Sequence, residues 1–323
     1  MTETGTRVLV TGAGGFVGRE LCAQLVARGY EVNAWLGREE NSGVNFPVTP
    51  ANKFVGDIRD KSIMAQALEG VETVFHLAGI AHVEGAEGSE LQTINVEGTA
   101  ALIESARLAE VRKIVYFSSS LADAAETGAS EVTDYGESKY QAEQLLRQAE
   151  EDSELAVCIL RPVNVYGPGM KGSLMSMIRL IARGLLPPLP TIDVKFSLIA
   201  VADLCRAAIL AAESESSAGK IYTVTDGIAY GINDLEQAVY KALGKQKPRW
   251  HCPGMILYAA AATAGLFNRI AGRKSSIGTR TYRNLVSGNT FSGSPLCDEL
   301  GFKPAATFYT ELTTIVAAED KKA

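Results

Sequence analysis

A membrane-spanning helix needs ~20 consecutive apolar residues, and the most apolar stretch of this 323-residue chain, Met255 to Phe267, stops short of that. It reads as a buried helix, or as an interfacial one because Arg269, Arg273 and Lys274 follow; no firm membrane association is expected. Five cysteines (Cys22, Cys158, Cys205, Cys252, Cys297) lie far apart with no C-x-x-C pair, which argues against a disulfide framework or a zinc knuckle. They read as small core residues in a reducing compartment. Histidines number three, and His76 and His251 have no acid placed to share a metal, so no metal site is expected. Basic tracts are missing and the net charge is -6, which argues against nucleic acid as a partner. No secretory n-region, apolar h-region or cleavage site is recognisable, so a cytoplasmic protein is expected.

What remains is an ordinary globular composition, 46% apolar and 21% charged. The length suits one large α/β domain, or a domain of about 170 residues with a smaller one attached. Arg7 to Thr11 is a β-branched run ending in glycines, and Phe16 to Gly29 carries apolar residues at helical spacing. Further strands are expected at Glu31 to Leu36, Lys53 to Val55, Val71 to Leu77, Lys113 to Ser118 and Ala156 to Leu160, with a helix from Tyr135 to Ala149. Near-continuous apolar strands alternating with helices predict an α/β fold, a doubly wound parallel sheet of the Rossmann type. Beyond about Gly167, prolines cluster and short strands at Lys195 to Ile199 and Ile221 to Val224 stand singly. The expected division is a dinucleotide-binding domain over 1–168 and a smaller α+β substrate-binding subdomain over 169–323, some of whose chain returns to the sheet.

Gly12, Gly14, Gly15 and Gly18, with Phe16 and Val17, occupy the junction of the first strand and helix. A tight turn, close approach to a pyrophosphate and close helix packing all require missing side chains, and the helix N-terminus offers free N–H groups to an anion. The second strand ends in Leu36-Gly37-Arg38, with no acid at its tip to read a ribose 2′-hydroxyl. Arg38 could pair with a 2′-phosphate, so the cofactor reads as NAD(P)(H) with a lean to NADP(H), while Glu39 and Glu40 keep NAD open. Asp57, before Ile58, follows the third strand, where a carboxylate can accept from an adenine amino group.

Tyr135 and Lys139 are four apart, on one helix face. An ammonium within a few ångströms favours a phenolate and would lower the tyrosine pKa toward neutrality.

In this order the motifs resemble the extended short-chain dehydrogenase/reductase family, of the nucleotide-sugar epimerase and dehydratase type. Thr11-Gly-x-x-Gly15-x-x-Gly18, His76-Leu77-Ala78-Gly79, Asn95 within Asn-Val-Glu-Gly-Thr99, Phe117-Ser118-Ser119-Ser120, Tyr135 with Lys139, and Arg161-Pro162-Val163-Asn164-Val-Tyr-Gly-Pro-Gly169 are similar to that family's landmarks. The resemblance implies catalysis by Ser120, Tyr135 and Lys139, with Ser118 and Ser119 as alternates in register. It implies a cofactor lined by Leu77, Ala78, Gly79, Asn95, Ser118, Pro162 and Val163, and a small-molecule substrate, in that family a nucleotide sugar, met by Ser120 and Asn164. His82 is a further candidate for the substrate side. Homodimerisation through the helices near 95–109 and 135–149 is also implied.

Family members that eliminate water or carbon dioxide carry an acid within two positions of the catalytic Ser or Thr. Here those positions are Leu121 and Ala122, and Asp123 and Glu126 are out of register. The expectation is a 4-epimerase or a 4-keto reductase, with a hydroxysteroid-type dehydrogenase or a non-catalytic cofactor-binding protein as alternatives.

Overall fold

The computed structural model describes residues 5–37, 46, 49–80, 88–129, 131–256, 258–259, 262–263 and 288–320. The chain folds as two compact units, Met1–Val163 with Val201–Val224 and Gly293–Lys303, and Asn164–Ala200 with Thr225–Ser292 and Pro304–Ala323.

In the first unit the strands are β1 (Arg7–Thr11), β2 (Glu31–Leu36), β3 (Asn52–Val55), β4 (Thr73–His76), β5 (Lys113–Phe117), β6 (Ala156–Pro162) and β9 (Lys220–Val224). They form one parallel sheet in the order β3-β2-β1-β4-β5-β6-β9. Val8, Leu9 and Val10 are all fully buried, as strands covered on both faces must be. One face packs Leu9, Ile114 and Val157 against α2 (Lys61–Ala67), α4 (Gly98–Leu108) and α6 (Asp134–Glu151) through Met64, Leu102, Ala142 and Leu146. Alternate strand residues point to the other side, where α1 (Phe16–Ala27) meets α8 (Val201–Glu213); Gln24 donates to Ala202 O at 3.0 Å. Lys113, buried at the start of β5, donates to Ala211 O, Ala212 O and Ser214 O at 2.9, 3.3 and 2.5 Å, which satisfies the C-terminal carbonyls of α8.

Helix starts follow local chemistry. Asp60 caps α2 by accepting from Ser62 N and Ile63 N, and Thr133 caps α6 by accepting from Gly136 N at 3.0 Å. Asp134 and Glu137 add negative charge to the first turn of α6.

The second unit contains β7 (Asn164–Tyr166), α7 (Ser173–Ala182), β8 (Lys195–Ala200), β10 (Ala229–Gly231), α9 (Ile232–Ala242) and α11 (Phe308–Asp320). β8 pairs parallel with β7 and antiparallel with β10. Tyr166 and Phe308 meet edge to face at 5.5 Å, and Glu236, fully buried, accepts from Leu189 N and pairs with Lys247 at 2.6 Å.

Two sequence expectations change. The run Ile221 to Val224 does not stand singly in the C-terminal half: as β9 it pairs with β6, from Cys158 with Lys220 to Pro162 with Val224, and forms an edge of the main sheet. Lys195 to Ile199 is likewise paired, as the middle of the three-stranded sheet. Both runs are short and close their hydrogen bonds with distant partners, a feature local periodicity does not carry. The stretch Met255 to Phe267 lies largely outside the described residues; among the described ones, no helix is long and apolar enough to cross a membrane.

Candidate active site

The strand order reverses its crossover direction between β1 and β4, and a parallel sheet of this kind opens a crevice at the carboxyl ends there. Thr11 ends β1, and Gly12 turns the chain at φ +69°. A Cβ on Gly12 would sit 2.9 Å from Ala78 N, and one on Gly18 would sit 2.3 Å from Gly12 O. Gly15 N donates to Gly12 O at 3.0 Å and Gly15 stands at the N-terminus of α1. Gly14 lies in the turn; Phe16 and Val17 begin the helix, whose first N–H groups have no intrahelical acceptor. The turn packs too closely for side chains at Gly12 and Gly18, and with the free N–H groups at the start of α1 it fits the pyrophosphate of a dinucleotide.

Asp57 follows β3, exposed, with its carboxylate clamped by Arg59 at 2.9 and 2.7 Å; that guanidinium holds its pKa down at about 2. Ile58 turns inward, and a Cβ on Gly98 would lie 2.7 Å from its Cγ2. Arg38 and His82 lie outside the described residues.

From β4 a polar chain runs through the interior. Thr11 Oγ1 accepts from Leu77 N and Ala78 N at 3.1 Å, so its own proton goes to His76 Nδ1 at 2.8 Å. The ring proton is therefore on Nε2, which donates to Thr99 Oγ1 at 3.0 Å, and Thr99 donates to Asn95 O at 2.6 Å. Burial pushes His76 down to about 3, with the Lys139 charge acting the same way. Asn95 lies in a π-helical turn, Gln92–Glu97, a geometry common at functional sites. Its side chain accepts from Ile80 N at 2.8 Å and donates to Ile80 O and to Ser138 Oγ, tying the segment after β4 to α6.

α6 carries Tyr135 and Lys139. Gly136 between them allows a close approach, since a Cβ there would lie 2.4 Å from Leu121 O. Lys139 is buried; its Nζ donates to Phe117 O at 2.8 Å and Tyr116 Oη at 3.2 Å and stands 4.6 Å from the Tyr116 ring centroid. A Cβ on Gly79 would be 2.9 Å from Asn95 Oδ1 and 3.4 Å from Lys139 Nζ, so the Gly79 backbone adjoins both. Desolvation draws the Lys139 ammonium down to about 8, opposed by the Glu143 carboxylate. Tyr135, half-buried, is pushed up to about 12 by burial, and a hydrogen bond with Ser119 pulls the other way. The expectation that Lys139 lowers the Tyr135 pKa is thus not met in this arrangement: the ammonium is engaged with Phe117 O and Tyr116, and burial dominates at the phenol.

The three serines separate by role. Ser118 donates to the buried Glu143 carboxylate, Ser119 meets Tyr135, and Ser120 anchors its backbone N–H on Pro162 O at 3.0 Å. Among the described residues the Ser120 hydroxyl has no hydrogen-bond partner. Val163 is buried with its N–H on Val224 O at 3.2 Å, whereas Asn164 opens β7 in the second unit and is exposed.

Sequence reasoning overlooked Glu143 and the role of Arg161. Arg161 grips Glu143 through Nε at 3.0 Å and a terminal nitrogen at 2.6 Å, and reaches Glu126 at 2.6 Å and Asp123 at 3.7 Å. Glu143 continues the Tyr135, Lys139 face by one turn, and that spacing was a readable signal. Asp123 and Glu126, on α5 (Ala122–Glu126), are accordingly spent on Arg161. Asp203, in the first turn of α8, pairs with Arg206. Among the described residues no group of three His, Cys, Asp or Glu could hold a metal ion.

Comparison with known proteins agrees with this geometry. The chain is 29% identical over 264 residues to UDP-glucose 4-epimerase of Vibrio cholerae, covering 76% of this chain and 78% of that protein. It is 25% identical over 350 residues to a 3-beta-hydroxysteroid dehydrogenase of Mycolicibacterium neoaurum, covering 97% and 94%. Among solved structures, MoeE5 in complex with UDP-glucose and NAD superposes with a TM-score of 0.74 at 25% identity, covering 98% of this chain and 99% of that one. Residues 8–225 match the model of one family from β1 through β9, and with more than half its length inside that match the chain belongs to the NAD dependent epimerase/dehydratase family, among the enzymes of the extended short-chain dehydrogenase/reductase type.

Proposed function

We propose that the protein catalyses reversible hydride transfer at a carbinol or keto carbon of a nucleotide sugar, as a 4-epimerase or a 4-keto reductase. One observation carries this reading: Lys139 adjoins Gly79, Tyr135 one turn earlier on α6 meets Ser119, and the acids nearest Ser120 lie against Arg161. Elimination of water needs a further acid or base; Glu126 is hydrogen-bonded to Arg161 at 2.6 Å, and Asp123 lies 3.7 Å from the same guanidinium.

A dinucleotide would be held by Gly12, Gly15 and Gly18, with Asp57 and Ile58 toward adenine, and Leu77, Ala78, Gly79, Pro162 and Val163 toward nicotinamide. Bound there, it supplies the hydride acceptor or donor. Tyr135 moves the proton at the substrate oxygen. Lys139 keeps a third N–H beyond those on Phe117 O and Tyr116, and that donor is the one we assign to the cofactor ribose. Ser120, with its hydroxyl uncommitted among the described residues, donates to the substrate oxygen, and Ser119 stabilises ionised Tyr135. Asn164 is the polar side chain we assign to the substrate side from β7. Arg38, directly after β2, supports NADP(H) over NAD(H); the ratio of the two dissociation constants measures it, and a clear NAD preference overturns that choice.

A second reading, an apolar alcohol of the hydroxysteroid kind, is favoured by exposed Trp250, Met255 and Ile256 in the second unit. The experiment is a panel of UDP-sugars, dTDP-sugars and 3-hydroxysteroids followed by nicotinamide absorbance and epimer analysis. Turnover of a sugar supports the proposal and turnover of a steroid alone supports the second reading. On whichever substrate turns over, Tyr135→Phe retaining full activity overturns the catalytic assignment; turnover of none of them, with dinucleotide bound, favours a cofactor-binding protein.

A further inference from the structure

Between Glu236 and Asp298 the sequence has no acidic residue and nine of the chain's 31 lysines and arginines. That segment carries +9, and the rest of the chain, with 22 basic and 37 acidic residues, carries -15. No short basic tract marks it; the excess arises because acids are missing. The same segment holds apolar side chains in the open: Trp250, Met255 and Ile256 are 58%, 86% and 60% exposed. They are not scattered singly. Cys252 N donates to Pro188 O at 3.0 Å, which lays this stretch along residues 185–189, where Leu185 is exposed as well. Trp250, Leu185, Pro187, Pro188 and Tyr240 line an open hollow of about 450 Å³. Arg183 and Arg249, each directly before a lining residue, are exposed and have no carboxylate partner among the described residues. Lys245, on the same wall, gives its ammonium to the carbonyls Ala182 O and, at 3.4 Å, Ile181 O, so no anion cancels it there. Lys247 is neutralised by Glu236.

We propose that this face of the second unit is a peripheral docking surface for an anionic lipid bilayer, with Leu185, Trp250, Met255 and Ile256 entering the headgroup region and Arg183 and Arg249 meeting lipid phosphates. Clustered apolar side chains without a partner mark a contact surface, and their combination with unpaired cations is what an anionic interface selects. An indole suits that depth, having an apolar body and one polar N–H. Charge decides the occupant. An isologous contact with a second copy would set the acid-free segment against itself. Nucleic acid would meet the cations but leave Met255 and Ile256 in water. No described helix can cross a membrane, so the contact lies on the surface of the bilayer. This is the alternative that the sequence left open at Met255 to Phe267, now carried by residues on both sides of the hollow.

The chain's two tryptophans make the test specific, because Trp35 is fully buried and Trp250 is not. The full chain is mixed with vesicles of phosphatidylcholine alone or with phosphatidylglycerol, and sedimentation and tryptophan emission are followed. Binding should require phosphatidylglycerol, be lost in roughly 0.5 M salt, and move the emission to shorter wavelength. Trp250→Phe should keep the binding and lose the emission change. Arg183→Gln with Arg249→Gln should weaken binding by about tenfold to thirtyfold, and Met255→Ser with Ile256→Ser by at least about tenfold. No sedimentation at low salt overturns the proposal, and so does sedimentation with Trp250 emission unchanged. A single-stranded oligonucleotide that binds as tightly as the vesicles with the same emission change assigns the surface to nucleic acid instead. Self-association that is lost in the Met255 and Ile256 variant, seen by sedimentation velocity, assigns it to a second copy. If either double variant fails to fold, the wild-type and Trp250→Phe emission measurements decide. No arm uses a substrate, so the outcome is independent of the reaction proposed above.

Discussion

Replacing His76 by Gln should change how stability depends on pH more than it changes stability at neutral pH. Both ring nitrogens of His76 are committed, Nδ1 as acceptor from Thr11 and Nε2 as donor to Thr99. A second ring proton, on Nδ1, would face a Thr11 oxygen that already accepts two backbone N–H groups, in a site with no exposure to water. The folded protein therefore resists protonation down to about 3, whereas the unfolded chain takes up the proton near the ordinary 6.5. Between those values the unfolded state binds more protons, so stability present above 6.5 is lost as the pH falls, at about 1.4 kcal/mol per pH unit. The full interval corresponds to about 5 kcal/mol, and lowering the pH from 7.5 to 5 costs about 2 kcal/mol from this residue. Gln supplies one donor and one acceptor but does not ionise; with imperfect geometry it should cost about 1–2 kcal/mol at pH 7.5. Urea denaturation at pH 7.5, 6, 5.5 and 5 should then show the wild-type advantage shrinking toward zero at pH 5. Parallel curves, with a constant gap at every pH, would refute the proton arrangement described here.

The cradle makes a second prediction. Gly18→Ala puts a methyl group 2.3 Å from Gly12 O and 2.8 Å from Ala13 Cα, both backbone, so the turn itself must move. An overpacking cost of about 1–3 kcal/mol weakens dinucleotide binding by roughly tenfold to a hundredfold. Calorimetric titration with NAD and NADP measures it, and an unchanged dissociation constant for both removes the turn from the binding site. The serines give a third. Ser120→Ala should lower kcat by ~10²–10³ without shifting the pH profile. Ser119→Ala should move the Tyr135 limb of kcat/KM to higher pH, because the lost hydrogen bond favours the phenolate; exchanged phenotypes would exchange the two roles.

Much of the first unit was legible in sequence because its signals are local. A β-branched run, glycines and a helix follow one another within the first thirty residues, and Tyr135 with Lys139 fall on one face whatever else the fold does. Spacing sets Glu143 on the Tyr135 and Lys139 face, but its pairing with Arg161 was hidden because a glutamate in a helix rich in charged residues looks solvated. Only strand pairing, which sets Arg161 on β6 beside α6, reveals that it is dry. The division of labour among Ser118, Ser119 and Ser120 depends on which hydroxyl points at Glu143 and which at Tyr135, a matter of the backbone path after β5 rather than residue type. The lower Tyr135 pKa expected from its lysine neighbour failed for a similar reason: sequence spacing gives proximity, while Phe117 O and Tyr116 decide where the ammonium points.

The late arrival of β9 bears on how this protein is made. A ribosome delivers the first six strands of the sheet, then residues 164–200, and only afterwards the strand that pairs with β6. Until then Cys158, Ile159 and Leu160 form a bare, apolar edge, the kind of surface on which nascent chains join one another. The Lys113 ammonium waits as well, since the carbonyls that receive it lie at the end of α8. A gene truncated after residue 168 would make both conditions permanent and yield an aggregating fragment. A soluble minimal version of the sheet requires residues 201–224 and 293–303 to be spliced back, with the second unit treated as an insertion.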